Sequence, residues 1–235
     1  MSQMQVVYAA TRNLYPYMLP AVCSLLEHNP DACVWILAED DDLDFLPEQC
    51  KVINVIDQQY FLEGSPNYRN DYSYMVLLRT AYSKIFLDLD RVLSLDIDTI
   101  VTEDLSDLWN TDLTGKWFAA VNEWSGQFKP FGLRYYNFGV VLYNLEQIRQ
   151  DGIETELIRI LNDQEVVYPE QTAWNYYGLI HDKFVGLPTR YNESYCTSFS
   201  IMPAIVHFAG VHDWMNRRNI VHVEYLDKYR HLFRG

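Results

Sequence analysis

The sequence lacks a long apolar run and a basic, apolar beginning of the kind that directs a chain across a membrane. No run approaches the roughly 20 apolar residues that a membrane-spanning helix needs. Residues 1–20 do not have the segments of a signal peptide. We therefore expect a protein of the cytoplasm, either free or peripheral at a membrane surface, with no transmembrane segment.

Cysteine and positive charge are also scarce. The four cysteines, at positions 23, 33, 50 and 196, show neither paired nor metal-type spacing, which is typical of reduced thiols. Only 18 Lys and Arg stand against 32 Asp and Glu, for a net charge of −14. A chain this acidic has no general field that attracts nucleic acid. Phosphate binding would need a metal ion or a few local arginines.

Repeats, low-complexity segments and linkers are absent as well, so we expect residues 1–235 to form a single domain. Short apolar strands alternate with helical patterns, which include 15–28, 72–86 and 145–162. This alternation predicts an α/β fold with a Rossmann-like, mostly parallel central sheet flanked by helices. Ligands of such sheets bind beyond the carboxyl ends of the strands, where residues 10–13 and 96–98 fall.

The segment from Arg91 to Val101 carries the strongest chemical signal. It reads RVLSLDIDTIV, with Asp96 and Asp98 at the end of an apolar, β-prone run. Residues i and i+2 share a face of a strand, so the two carboxylates can point the same way and repel each other. A hard divalent cation such as Mg²⁺ or Mn²⁺ is the usual partner of such a pair. The alternative is an acidic turn at the edge of a sheet.

Another alternative is a phosphohydrolase of the haloacid dehalogenase type. The run from Asp96 to Val101 (DIDTIV) resembles its D-x-D-x-T signature. Such enzymes, however, usually carry that motif on their first strand, together with a later G-D-x-x-x-D loop. Here the motif begins at residue 96 and the chain contains no Gly-Asp pair.

Several stretches, taken in order, resemble the retaining glycosyltransferases of family 8. Arg79 and the run from Arg91 to Val101 resemble the arginine and the L-D-x-D strand of that family. Residues 108–113 (LWNTDL) resemble the segment that follows. Residues 136–145 (YNFGVVLYNL) resemble F-N-x-G-V-x-L-x-N-L, residues 168–175 (YPEQTAWN) resemble a D-Q-x-x-x-N helix start, and residues 207–210 (HFAG) resemble H-F-x-G. The resemblance covers about residues 5–215.

The resemblance implies a GT-A fold with a D-x-D metal site formed by Asp96, Asp98 and His207. It further implies retaining transfer of a hexose, glucose or galactose, from a UDP-sugar, with Mn²⁺ or Mg²⁺ as the metal. The acceptor stays open among glycans, lipid-linked sugars and proteins. A non-catalytic or acceptor-strict UDP-sugar-binding protein of the same fold is the alternative.

The resemblance also assigns roles to individual residues. Arg79 would hold the phosphate and sugar of the donor, Asn137 would bind the sugar, and Gly139 would leave room for it. Gln171, beneath the anomeric carbon, and Glu170 would position the sugar, and neither is expected to be a nucleophile. The remaining donor-binding positions are Ala9, Ala10, Thr11, Asn13, Ile97, Gly210 and His212.

The sequence departs from the family pattern at three places. Thr11-Arg12 stands where many members carry an Asp, and residues 122–135 form a short loop where the family shapes its acceptor site. The usual Lys before Pro-Trp is missing after Gly210. His212, Arg217 and Arg218 are the candidates to replace its charge.

Overall fold

The apolar runs of the sequence form one seven-stranded sheet in the computed structural model, which describes residues 3–69, 72–124, 134–197, 200, 202–211 and 213–234. The described strands are β1 (Gln5–Ala9), β2 (Cys33–Ala38), β3 (Cys50–Asn54), β4 (Arg91–Leu95), β5 (Thr99–Val101), β6 (Phe118–Asn122), β7 (Tyr136–Asn144), β8 (Phe184–Leu187) and β9 (Ile205–His207). The α-helices are α1 (Tyr15–His28), α2 (Tyr82–Ile85), α3 (Ser106–Trp109), α4 (Leu145–Asp151), α5 (Ile153–Asp163), α6 (Pro169–Ile180) and α7 (Val223–Asp227).

The sheet is mostly parallel, as the alternation of strands and helices predicts. Its order is β3-β2-β1-β4-β7-β6-β8, and of these strands β7 alone runs against its neighbours. Strands β4 and β7 are apolar on both faces because helices and loops cover the sheet on each side. The carboxyl ends of the adjacent strands β1 and β4 therefore open on the same edge.

A small second sheet completes that edge. Strand β5 pairs antiparallel with β9, and the register places Thr99 opposite His207. Because β5 follows β4 after three residues, this pairing brings the end of β9 to the end of β4.

None of the helices within the described part of the chain combines the length and the apolar character that crossing a bilayer requires.

Two helix predictions are wrong in part. The apolar spacing predicts one helix over 72–86, but a 3₁₀ helix at Leu77–Ala81 precedes the four-residue α2. Ser73 has a φ of 74°, which a right-handed helix cannot include. The predicted helix over 145–162 is divided into α4 and α5 by Gly152, whose φ is 66°.

We predict that Gly152→Ala lowers the free energy of unfolding by about 1 kcal/mol, because a Cβ disfavours a left-handed backbone. The space around Gly152 is open, so the cost comes from the backbone alone. Gly64→Ala is the matched control, since that position is equally open and has no positive φ. Urea unfolding of both variants tests the prediction, and an equal change in the two would contradict it.

Candidate active site

Asp96, Asp98 and His207 form a cluster at the carboxyl end of β4. The Nε2 atom of His207 lies 3.2 Å from Oδ1 of Asp98 and 3.5 Å from Oδ2 of Asp96. One ligand atom from each residue lies within 4.8 Å of the other two. The two carboxylates are about a quarter exposed and the histidine side chain is buried, so this is not the solvated acidic turn that was the alternative. Two carboxylates and one imidazole can hold a divalent metal ion.

Backbone hydrogen bonds fix the position of this cluster. The Asp96 N–H donates to the Gly139 carbonyl at 2.8 Å, and the Phe208 N–H donates to the Asp98 carbonyl at 2.9 Å. The Thr99 hydroxyl donates to the Asp96 carbonyl at 2.7 Å. The D-x-D segment is thus attached both to β7 and to the end of β9.

Gly139 is required by a neighbouring side chain. A Cβ built at Gly139 would lie 2.0 Å from Cε1 of His207, so β7 and the imidazole ring approach each other too closely for any side chain at this position. Gly139 also lines the smaller cavity described below, and the expectation that it leaves room for the sugar stays a prediction.

Opposite charges change the ionisation of the cluster. Burial disfavours the charged forms of His207 and Asp98, but their mutual attraction prevails. The pKa of the histidine is raised and the pKa of the aspartate is lowered. The two shifts favour an ion pair between the imidazole and the carboxylate, and a metal ion would compete with a proton for Nε2 of His207.

Arg79 joins the cluster to α6. Its buried guanidinium donates to Asp96, to the Phe138 carbonyl at 2.6 Å and to Glu170 at 3.4 Å. Burial raises the pKa of Glu170 to about 7, although the positive charge of Arg79 opposes the shift. Arg79 is thus a buried structural cation that lies beside the metal-type ligands.

Amide side chains form the wall next to the cluster. Gln171 accepts from the Phe138 N–H at 2.9 Å and donates to Glu123 at 3.1 Å. Asn175 holds the middle of α6 against β7, because it accepts from the Tyr136 N–H at 2.7 Å and donates to the Tyr136 carbonyl at 2.9 Å. The predicted sugar-positioning residues are therefore carried on a firmly attached helix.

Two cavities meet at the cluster. The smaller one, of about 200 Å³, is lined by Asn137, Gly139, Glu170 and Gln171. The larger one, of about 400 Å³, is lined by Ala9, Leu14, Tyr17, Ile97 and Trp214. Their shared lining is Arg79, Asp96, Asp98, Gly210, Tyr72 and Val76.

Some predicted donor-binding residues lie elsewhere. Ala10, Thr11 and Asn13 line neither cavity. Ala10 donates its N–H to the Leu37 carbonyl, and the Thr11 hydroxyl donates to Asn13 at 2.6 Å. The part of these three residues in donor binding stays a prediction.

Two of the three proposed substitutes for the missing lysine likewise do not line the cavities. Arg218 is exposed and forms an ion pair with Asp227 at 3.2 Å, and Arg217 is exposed as well. Neither residue lines the two cavities. His212 lies outside the described residues.

Two site residues were missed in the sequence. Glu123 directly follows β6. Its position at the carboxyl end of an apolar, strand-like run could have indicated a site residue, because ligands bind beyond the carboxyl ends of strands. Asn192 was visible as part of the tripeptide Asn192-Glu193-Ser194, which has the form of a glycosylation sequon. Its side chain is buried against His207, with Oδ1 2.9 Å from Nδ1. No local sequence pattern indicates that contact.

Comparisons with known proteins agree with this geometry. The family model described as "Glycosyl transferase family 8" matches residues 5–214. The galactosyltransferase LgtC, solved in complex with donor and acceptor sugar analogues, is 21% identical with a TM-score of 0.74, over 99% of this chain and 97% of that one. The glycosyltransferase GlyE of Streptococcus pneumoniae TIGR4, in its apo form, is 22% identical with a TM-score of 0.74, over 97% of this chain and 60% of that one.

Mouse xyloside xylosyltransferase 1 has the same fold at 17% identity, with a TM-score of 0.66, over 89% of this chain and 99% of that one. No curated protein sequence matches the chain closely enough to serve as a relative. The structural matches establish a GT-A-type fold, and the family model identifies the sequence family.

We predict that Gly139→Ala weakens the binding of Mn²⁺ at least about tenfold, because the new methyl group displaces the imidazole of His207. Gly186→Ala is the matched control, since its added Cβ would meet Tyr136 at an ordinary 3.5 Å. Titration with Mn²⁺, followed by the electron paramagnetic resonance of the free ion, measures both variants. Equal affinities would show that the position of His207 does not matter for metal binding.

We also predict that Glu170→Gln changes how stability depends on pH. Between about pH 4.5 and 7 the unfolded chain releases the proton of Glu170 while the folded chain keeps it, so the wild type loses stability as the pH rises. The glutamine variant lacks this loss, which we expect to be on the order of 2 kcal/mol. The free energy of unfolding in urea, measured at about pH 4.5 and about pH 7, tests the prediction. Glu165→Gln, at an exposed position, is the control. Parallel profiles for the wild type and Glu170→Gln would contradict the prediction.

Proposed function

The chain belongs to glycosyl transferase family 8 and is a glycosyltransferase, and from this premise we propose that it transfers a hexose from a UDP-sugar to an acceptor hydroxyl, with retention of configuration and dependence on Mn²⁺. Residues 1–235 would act as a single glycosyltransferase domain. The acceptor is a glycan, a lipid-linked sugar or a protein.

The observation that carries this proposal is the position of Asp96, Asp98 and His207 where the two cavities meet. A nucleoside diphosphate sugar has an aromatic base at one end, a polyhydroxylated ring at the other and a diphosphate between them. The larger cavity, with Tyr17 and Trp214 in its wall, suits the nucleoside. The smaller cavity, with its amides and carboxylates, suits the sugar.

The donor set of the cluster fits a divalent metal ion. His207 Nδ1 is engaged by Asn192, which leaves Nε2 for a metal, and Oδ2 of Asp96 is not the oxygen that Arg79 holds. A bound Mn²⁺ would supply Lewis-acid stabilisation of the negative charge on the departing diphosphate.

The side chains around the smaller cavity would bind and orient the sugar. Asn137 and Gln171 present amide groups, and Gln171 is held by Phe138 and Glu123 so that its position is fixed before the donor arrives. Glu170 is engaged by Arg79 in a buried pair. This pairing supports a positioning role for Glu170 rather than attack on the sugar, and it agrees with attack by the acceptor on the face that the diphosphate leaves.

Two alternatives are weaker. A haloacid dehalogenase-type hydrolase usually carries its aspartate pair on the first strand, whereas Asp96 follows the fourth strand of a chain that belongs to another family. A non-catalytic binding protein of the same fold would bind the donor and never cleave it. An assay of cleavage separates this second alternative from the proposal.

We predict that the protein releases UDP slowly from one member of a panel of UDP-sugars, even without an acceptor, and that release requires Mn²⁺. Asp98→Ala should reduce release at least about a hundredfold, because it removes one of three metal ligands. Asp42→Ala, which removes an exposed carboxylate, is the control and should behave as the wild type does.

The outcomes of this assay separate the hypotheses. Cleavage that depends on both Mn²⁺ and Asp98 supports the transferase and identifies the donor sugar. Binding of UDP without any cleavage would favour the binding protein or a strict requirement for the acceptor. The absence of Mn²⁺-dependent UDP binding would overturn the proposal.

A further inference from the structure

Asn192 contacts the side of the His207 ring that faces away from Asp96 and Asp98. None of the sequence motifs predicts this contact. The residue is fully buried. Its Oδ1 atom is 2.9 Å from Nδ1 of His207, and its Nδ2 atom donates to Oδ1 of Asn137 at 2.8 Å. One side chain therefore connects a metal-type ligand to a residue that lines the smaller cavity.

The direction of these hydrogen bonds follows from a single backbone group. The Gly139 N–H lies 2.9 Å from one side-chain atom of Asn137. A backbone N–H can only donate, so that atom of Asn137 is the carbonyl oxygen. The other atom is the amide nitrogen, which is consistent with its donation to Glu123 at 3.3 Å.

The same logic extends to Asn192. Because Oδ1 of Asn137 is an acceptor, the atom of Asn192 that faces it is the amide nitrogen. The atom of Asn192 that faces His207 is then the carbonyl oxygen, which accepts a hydrogen bond and cannot donate one. Nδ1 of His207 must therefore carry a hydrogen.

A neutral imidazole has one protonated and one unprotonated nitrogen. With the hydrogen held on Nδ1, the lone pair of the neutral ring is on Nε2, which faces Asp96 and Asp98. This is the tautomer that a metal ion bound by the two carboxylates requires. A free histidine side chain has no such constraint.

We propose that Asn192 is a positioning residue that fixes the tautomer of His207 for metal binding, and that it takes its own orientation, through Asn137, from the Gly139 N–H. This inference rests on the proposed function, in which the cluster holds a divalent metal. The inference adds that one chain of hydrogen bonds, from Asn137 through Asn192 to His207, connects the smaller cavity with the metal site. A ligand that moved Asn137 would then also act on His207.

The geometry predicts different outcomes for two substitutions. Asn192→Leu has nearly the same size and can accept no hydrogen bond, so Nδ1 of His207 loses its fixed partner. Asn192→Asp keeps an oxygen toward His207, and its protonated form can still donate to Asn137. We expect the leucine variant to lose Mn²⁺ affinity by about 10–100-fold and the aspartate variant to stay within about threefold of the wild type.

The first measurement is a titration of the full chain with Mn²⁺ in the absence of substrate. The electron paramagnetic resonance signal of the free ion reports how much Mn²⁺ is unbound. Asn67→Leu is the matched control, because Asn67 is also buried and its amide also donates hydrogen bonds, here to two backbone carbonyls, but it lines neither cavity. Thermal melting of each variant records the loss of stability, which we expect to be similar for the two leucine variants. Only Asn192→Leu should lose the metal.

The second measurement is the ¹⁵N NMR spectrum of the histidine rings in the metal-free protein, at a pH where the imidazole is neutral. His207 in the wild type should show a protonated Nδ1 and an unprotonated Nε2, with its signals assigned from a His207→Gln variant. Asn192→Asp should keep this pattern and Asn192→Leu should lose it. A merely structural role for Asn192 would leave the tautomer unchanged.

Each result has a defined meaning. If the wild type binds no Mn²⁺, the proposed metal-dependent function fails. If the wild type binds it and Asn192→Leu binds it equally well, the function survives and the inference about Asn192 is overturned. A wild-type spectrum with the hydrogen on Nε2 would overturn the inference whatever the affinities are. If Asn192→Leu does not fold, loss of the wild-type tautomer in Asn192→Asp would overturn it.

Discussion

The repulsion between the carboxylates of Asp96 and Asp98 is the constraint to which the rest of the site responds. Both side chains are drawn partly out of water at the end of a buried strand, where like charges interact strongly. The fold brings two side chains that can carry positive charge to them from different directions. Arg79 lies in the segment before β4 and binds Asp96, while His207 lies on β9 and contacts Asp98. Both contacts offset the repulsion between the carboxylates.

This arrangement also explains how the site is prepared for its donor. The buried charges are surrounded by groups that are themselves held by the backbone: Gln171 by the Phe138 N–H, Asn137 by the Gly139 N–H, and α6 by Asn175. Such preorganisation lowers the cost of ordering the site when a ligand binds. Because β7 approaches the imidazole closely, Asn137 on this strand lies near His207 and is connected to it through Asn192.

Much of the fold could be predicted because it depends on local signals. The apolar runs predict the strands β1, β4 and β7, and the aspartate pair was correctly predicted to follow the end of β4. Other features depend on the backbone conformation of single residues. Ser73 and Gly152 adopt positive φ, which interrupted helices that the apolar spacing predicted as continuous. Thr11 and Asn13 are hydrogen-bonded to each other and line neither cavity, and no local pattern distinguishes them from the neighbouring Ala9, which does line one.

The sequence by itself determined the fold class through its alternation of apolar strands and helical patterns, and the D-x-D segment through the fixed spacing of two aspartates. The resemblance to family 8 added His207 through the H-F-x-G motif. Only the tertiary structure decided what surrounds them. The approach of Gly139 to His207, the ion pairs of Arg79 with Asp96 and Glu170, and the burial of Asn192 behind the imidazole join residues that lie 15 to 91 positions apart. Contacts of this kind depend on strand register and on packing, which no local pattern specifies.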